Sequence, residues 1–70
     1  MASESDLRAG TPVQFRYGGT NVNGIVREDR GPIGRGGRRL YLIRFNPEPA
    51  YESEIELPAE QIQVQRHSLL

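Results

Sequence analysis

Residues 40–57 read LYLIRFNPEPAYESEIEL, and this stretch decides the fold. Its first half places apolar side chains at every second position, in Tyr41, Ile43 and Phe45. Its second half repeats the pattern from Tyr51 after a turn that contains two prolines. Alternation with a period of two is typical of β-strands that bury one face. The sequence therefore predicts a third strand at about 39–46 and a fourth at about 51–57.

The N-terminal part of the chain predicts a tight hairpin. Pro12 opens a first strand, and Gly18-Gly19 supplies a two-residue turn that suits positive φ angles. If Tyr17 faces the residue that follows the turn, Gly24 falls on the inward face of the second strand. An inward glycine usually marks a sharp bend or a close approach of two backbones. We expect Ile25 to be buried on the far side of this bend.

The remaining segments predict a long loop, a short helix and two tails. Residues 29–38 read DRGPIGRGGR, and four glycines and a proline in this stretch indicate a long, mobile loop. Residues 58–61 have room for one turn of 3₁₀ helix, and a short fifth strand follows. We expect flexible tails at 1–9, which contains the isolated apolar residue Leu7, and at 67–70.

This arrangement resembles the SH3-like small-barrel superfold. The most specific segment is the 3₁₀ turn before the last strand, LPAEQI at 57–62. The opening GTPVQF at 10–15, with the glycines that follow it, is similar to the KOW motif of ribosomal and transcription-factor barrels. The resemblance implies one all-β domain at 10–66, a five-stranded antiparallel barrel. It implies no particular activity, because the superfold serves many unrelated functions.

The size and composition of the chain argue against an enzyme or a metal protein. Seventy residues build only a thin core. Cysteine is absent and His67 is the single histidine, which leaves no ordinary set of zinc ligands. The type II dihydrofolate reductases share this architecture and length, but their Val-Gln-Ile-Tyr motif would fall on 54–57, which read EIEL. We expect no catalytic residues, no metal ligands and no cofactor; a small oligomeric enzyme is a third alternative, without a nominated residue.

The sequence also predicts the cellular location of the protein. No apolar run approaches the roughly 20 residues of a membrane span. The first residues, MASESD, lack the basic and apolar regions of a signal peptide. We expect a cytoplasmic protein of a bacterium.

Charge is distributed unevenly along a chain whose formal net charge is zero. Residues 1–46 hold eight arginines and four acidic residues, whereas residues 47–70 hold one arginine and five glutamates. Five arginines cluster among glycines, at Arg27, Arg30, Arg35, Arg38 and Arg39. Flexible glycine with arginine suits a segment that follows a phosphate backbone. A solvated loop and a site for an acidic protein remain alternatives, since a near-neutral chain is unlike a strongly basic nucleic-acid binder.

Three glutamates alternate along the predicted fourth strand and should point outward: Glu52, Glu54 and Glu56. We expect them to pair with arginines across the hairpin, first Arg44 and further along Arg38 and Arg39. Each cross-strand pair contributes about 0.2–1 kcal/mol, and charges on an edge strand also oppose edge-to-edge association. The alternative is an acidic docking surface, possibly for the arginine loop of a second copy.

Leu40 and Leu42 point outward if their neighbours in the third strand are core residues. Either the loop or a tail covers them, through Ile33 or Leu69, or they contact a partner. The candidate binding surface therefore comprises Arg27, Arg30, Arg35, Arg38, Arg39, Leu40 and Leu42. The leading hypothesis is a non-enzymatic protein-interaction module, a monomer or weak homo-oligomer. The alternative is binding of RNA or single-stranded nucleic acid through 27–39.

Overall fold

The computed structural model describes residues 7–48 and 50–65 and shows five β-strands. These are β1 (Pro12–Tyr17), β2 (Thr20–Gly31), β3 (Leu40–Glu48), β4 (Tyr51–Pro58) and β5 (Gln63–Val64). Two single-turn 3₁₀ helices connect them, η1 (Arg35–Gly37) and η2 (Ala59–Gln61). The predicted all-β fold, with five antiparallel strands and a 3₁₀ turn before the last one, is confirmed.

All strand pairs are antiparallel and form one sheet in the order β4-β3-β2-β1-β5. The two terminal strands of this order, β4 and β5, are not hydrogen-bonded to each other. The sheet is therefore open, whereas the sequence predicts a barrel. The two residues of β5 pair only with Val13 and Gln14 of β1, so this edge is too short to close the sheet.

The first hairpin has the predicted register. Tyr17 pairs with Thr20 across the Gly18-Gly19 turn. The two glycines have φ angles of 60° and 81°, which place both in the left-handed region that this turn requires. Val13 consequently pairs with Gly24.

Gly24 lies where two backbones approach closely. A Cβ atom on this residue would lie 2.8 Å from the backbone oxygen of Arg44 and 2.8 Å from Cγ2 of Ile43. Only glycine fits there, which confirms the predicted close approach. The expected burial of Ile25 is wrong: its side chain is 42% exposed, because it shares the outward row of Arg44.

Apolar side chains of β1 to β4, together with Leu7 and Ile62, build the core against one face of the sheet, and the half-buried Val64 of β5 packs against it. Its buried members are Leu7, Val13, Phe15, Val26, Tyr41, Ile43, Phe45, Leu57 and Ile62. The rings of Phe15 and Phe45 meet edge to face, with centroids 5.1 Å apart. The predicted facing of β3 is thus confirmed.

Leu7 belongs to this core, although the sequence assigns it to a flexible tail. Its side chain is 3% exposed. The segment after it is held by backbone hydrogen bonds, since the Gly10 N–H donates to the Val26 carbonyl and the Val26 N–H donates to the Thr11 carbonyl. The packed part of the chain therefore begins before residue 10. The rest of the predicted tails, 1–6 and 67–70, lies outside the described residues.

Strand β2 continues to Gly31, into the stretch that the sequence assigns to the loop. The register with β3 shifts between Val26 and Glu28 and again between Asp29 and Gly31. Each shift is a β-bulge, in which one extra residue interrupts the alternation without ending the strand. The irregular connection is reduced to residues 32–39, which include η1.

Candidate functional site on the outer face of strands β2 to β4

The outer face is the side of β2, β3 and β4 that points away from the core. Two rows of residues cross it, one formed by Ile25, Arg44 and Glu54, and the next by Glu28, Leu42 and Glu56. The strand pairing alone creates these rows, because neighbours in a row come from distant parts of the chain. The rows bring one aliphatic side chain, Leu42, between two carboxylates.

Leu42 is half-buried, and an arginine of β2 reaches past its strand to a glutamate of β4. Arg30 of β2 donates from Nε to Glu56 of β4 at 2.9 Å and from Nη1 to Glu28 at 3.4 Å. Since β3 lies between β2 and β4, the Arg30 side chain must cross β3 near Leu42. The outward position predicted for Leu42 is confirmed.

Leu40, one row further along, is also half-buried, and the loop lies against it. A Cβ atom on Gly34 would be 3.2 Å from Cδ2 of Leu40, and the Gly34 N–H donates to the Arg38 carbonyl at 2.8 Å. The loop thus partly covers this leucine, and contact of Leu40 with a partner stays a prediction. Ile33 is 56% exposed, and Leu69 lies outside the described residues.

Four of the five clustered arginines make ion pairs within the chain. Besides Arg30, these are Arg27 with Glu54 at 3.4 Å, Arg38 with Glu60 at 3.4 Å, and Arg39 with Asp29 at 2.7 Å. Arg35 in η1 has no ion-pair partner within 7–48 and 50–65. Ion pairs within the chain thus neutralise most of the predicted arginine cluster.

The bulges explain why Arg27 and Arg30 reach the glutamates of β4. Each is the extra residue at a register shift, and a bulge redirects the side chain that it carries. The predicted pairing of Glu52, Glu54 and Glu56 is confirmed, with Arg44 as the partner of Glu52 at 3.5 Å.

The other two predicted partners of these glutamates are wrong. Arg38 and Arg39 pair with Glu60 and Asp29 instead, because both lie beyond the end of β2, nearer to η2 and to the base of the loop. The sequence did not single out these two acids. The Asp29-Arg30-Gly31 triplet was the available signal, since aspartate commonly accepts from the backbone two residues on.

Asp29 closes the base of the loop. Its carboxylate accepts a hydrogen bond from the Gly31 N–H at 2.9 Å and another from Arg39 Nη1 at 2.7 Å. These two contacts, the backbone one foremost, hold the pKa of Asp29 below its ordinary value. The charged carboxylate therefore fixes both ends of the connection between β2 and β3.

Two classes of feature are missing from the part of the chain that the structure describes. Residues 7–48 and 50–65 contain no group of three or more histidine, aspartate or glutamate side chains that could hold a metal ion. No helix in the same ranges is long and apolar enough to cross a membrane.

Comparison with protein-family models, curated proteins and solved structures yields no match to this chain.

Proposed function

We propose that this chain is a non-enzymatic module that binds a protein partner through the outer face around Leu42. One observation carries the proposal: a half-buried leucine lies in the middle of a regular three-strand surface, with ion-paired arginine and glutamate on both sides. Protein interfaces combine an apolar centre with a polar rim, and arginine is enriched in them. Leu42 supplies the centre, and Arg30 and its two glutamates supply part of the rim.

The charge of the surface favours a protein over a nucleic acid. Phosphate groups would have to displace Glu54, Glu56 and Asp29 from arginines that already hold them. A protein partner that carries both acidic and basic side chains can replace each of these intrachain ion pairs with an ion pair across the interface. The same pairing weakens the case for a second copy as partner, since the glutamates that would receive its arginines are occupied. We therefore expect a monomer in sedimentation experiments.

A second candidate function rests on Arg35. This arginine has no ion-pair partner among the residues described, and it stands in a glycine-rich turn between Gly34 and Gly36. An uncommitted guanidinium on such a turn suits a bidentate contact with one phosphate. Binding of RNA or single-stranded nucleic acid through the loop is the function that this observation favours.

The first experiment compares affinity capture by the wild-type chain and by Leu42→Glu. Leu42 is outside the core, so the variant should keep the wild-type amide spectrum while losing the apolar centre of the surface. We expect it to lose at least one protein that the wild type captures and that binds it again after purification. Ile33→Glu is the matched control, because it adds the same charge at an aliphatic side chain that is already exposed. Identical captured proteins for the wild type and Leu42→Glu would contradict the proposal.

A titration with mixed-sequence RNA at low salt separates the two candidates. The proposal expects no shift of backbone amide signals. Shifts confined to 31–39 and β3 and reversed by added salt would instead favour nucleic acid, because release of counterions makes such binding salt-dependent. In that case Arg35→Ala should weaken binding uniformly across RNA sequences, whereas Arg16→Ala, outside the loop, should not.

A further inference from the structure

Strand β4 is an edge of the sheet along its whole length. It has eight residues, Tyr51–Pro58, and it pairs only with β3 in the part of the chain that the structure describes. The opposite edge strand, β5, has two residues. An uncovered strand edge presents unpaired N–H and C=O groups to which another strand can bind. The edge of β4 is therefore the longest such template on the sheet.

The backbone direction of β4 follows from that of β2. The two-residue turn makes Tyr17 and Thr20 a hydrogen-bonded pair, so Thr20 and every second residue after it direct their backbone groups towards β1. Val26 continues this series, because its N–H donates to the Thr11 carbonyl on the same side. Ile25 precedes Val26 and therefore directs its N–H and C=O towards β3.

The same alternation passes from β2 through β3 to β4. Ile25 pairs with Arg44, so the backbone of Arg44 faces β2 and that of Ile43 faces β4. Ile43 pairs with Ile55, and the register between β3 and β4 is unbroken on both sides of this pair. Three residues of β4 therefore direct their backbone groups away from the sheet: Glu52, Glu54 and Glu56. These N–H and C=O groups make no hydrogen bond within 7–48 and 50–65.

The side chains of the same three glutamates form an acidic row beside this edge. Their ion-pair partners, Arg44, Arg27 and Arg30, all lie in β3 or β2, on the inner side of the row. Glu52 and Glu54 are 3.5 and 3.4 Å from their arginines, and their carboxylates accept no hydrogen bond from the described residues. Both carboxylates therefore keep their hydrogen-bonding capacity for a cation on the edge side.

The acidic row determines which strand the edge accepts. Directly opposed residues of an antiparallel pair have Cβ atoms about 5 Å apart on one face, where opposite charges stabilise the pair and like charges destabilise it. Strand β4 of a second copy would set glutamate against glutamate. A strand with basic residues at alternate positions would set a cation against each glutamate, so the charges select such a strand while the main chain binds it.

The other face of an added strand would meet apolar side chains. Ile55 is half-buried at the margin of the core, and Tyr51 is 62% exposed. Both alternate with the glutamates and therefore lie on the opposite face of β4. Apolar residues that alternate with the basic ones would cover them.

We propose that the edge of β4 from Glu52 to Glu56 binds an extended segment of a partner protein in which basic and apolar residues alternate. The segment adds to the sheet as an antiparallel strand, with its basic side chains on the glutamate face. Addition of a strand to an exposed edge is an established mode of peptide recognition, in which main-chain bonds give affinity and alternate side chains give specificity. The proposal goes beyond the function of the surface around Leu42 and does not rest on it, although Glu56 borders both.

The test is amide hydrogen exchange of the ¹⁵N-labelled chain during titration with the blocked peptide Ac-RVRVR-NH₂. In the free chain, the amides of Glu52, Glu54 and Glu56 should exchange faster than those of Ser53 and Ile55. The peptide should slow exchange at the three glutamates in a saturable way. No slowing up to the solubility limit of the peptide would overturn the proposal. Slow exchange there in the free chain would also overturn it, because the edge would already be paired.

N-methylated peptides test the direction of the added strand. In the proposed pairing, the N–H groups of the peptide arginines face β4 and those of its valines face away from it. Methylation of the arginine nitrogens should therefore abolish binding, whereas methylation of the valine nitrogens should leave it intact. The reverse result, or equal binding of both peptides, would overturn the proposal.

Charge variants test the role of the acidic row. Ac-EVEVE-NH₂ has the same alternation with the opposite charge and should not bind. Glu54→Gln should weaken binding of Ac-RVRVR-NH₂ by about twofold to fivefold, because one cross-strand ion pair is lost. Glu28→Gln is the matched control, since it removes a similarly exposed carboxylate of the outer face that lies in β2, away from the edge. Equal losses in the two variants would indicate general attraction to an acidic face and would overturn the proposal.

Discussion

Arg30 and Glu56 are 26 residues apart in the sequence, and the Nε of the arginine lies 2.9 Å from Oε2 of the glutamate. The bond joins β2 to β4 although these strands are not neighbours in the sheet. It exists because a β-bulge directs Arg30 across β3. One side chain thus links three strands and frames Leu42.

The coupling of this pair can be measured with a double-mutant cycle of Arg30→Ala and Glu56→Ala. Both side chains are about 40% exposed, so water screens the pair, and we expect a coupling free energy of about 0.2–1 kcal/mol. It should shrink as salt is added. The measurement is urea unfolding of the four chains. The same cycle built with Arg35→Ala in place of Arg30→Ala should give no coupling; an equal value there would contradict the assignment.

Gly24→Ala should destabilise the sheet. The new methyl group would meet the backbone oxygen of Arg44 and the side chain of Ile43 at 2.8 Å, and neither can move without shifting β3. Overpacking of this kind costs about 1–3 kcal/mol, which a shift of the urea midpoint would report. Asn21→Ala, an exposed position on the same strand, should change the free energy of unfolding by less than about 0.5 kcal/mol. Equal midpoints for the two variants would show that β3 can move aside.

Leu7→Ala should destabilise the chain as a core substitution does. The side chain is 3% exposed, and truncation of a buried leucine costs about 2–5 kcal/mol through lost burial and a new cavity. Thermal or urea unfolding measures the loss. Ile33→Ala removes a similar amount of apolar surface at a position that is 56% exposed, and it should have little effect. A negligible loss for Leu7→Ala would mean that the segment before Gly10 contributes nothing to the core.

Asp29→Asn should change how stability depends on pH. The pKa of Asp29 is lower in the folded chain than its ordinary value of about 3.9. Its charged form therefore stabilises the fold above about pH 4, and this contribution is lost as the pH falls through the lower folded pKa. Asp29→Asn lacks the contribution at every pH, so its stability deficit relative to the wild type should disappear in acid.

Urea midpoints of Asp29→Asn and the wild type over a series of pH values measure this deficit. Glu48→Gln removes a carboxylate that makes no ion pair with any residue of 7–48 or 50–65, and it serves as the control. A deficit for Asp29→Asn that stays constant from neutral to strongly acidic pH would refute the role of its charge.

The sequence predicts those parts of the fold that local periodicity encodes. Alternation around Ile43 was sufficient to assign the core face of β3, and the Gly18-Gly19 turn was sufficient to assign the register of the first hairpin. Two bulges in β2 interrupt the alternation, and the glycine-rich composition around Gly31 conceals that the strand continues there. Leu7 has no periodic neighbours, so only tertiary packing identifies it as a core residue. The SH3-like resemblance stays a prediction.

In the candidate site, too, local sequence pattern predicts some features, and others depend on the arrangement of the strands. The outward direction of Leu42 follows from its neighbours in β3 and was predictable. The partners of Arg30 and Arg39 depend on which strands lie side by side and on where a bulge turns a side chain, and no local pattern carries that information.

The strand order also determines the sequence in which contacts can form as the chain folds. Strands β1, β2 and β3 each pair with the next strand along the chain, through short connections whose closure costs little entropy. The pairing of β5 with β1 brings Val64 to Val13, across nearly the whole described chain. Only two residue pairs of the ladder stabilise this long-range contact. The four-stranded meander should therefore form early and the ends should meet late, so substitutions in β5 should chiefly accelerate unfolding and leave the folding rate unchanged.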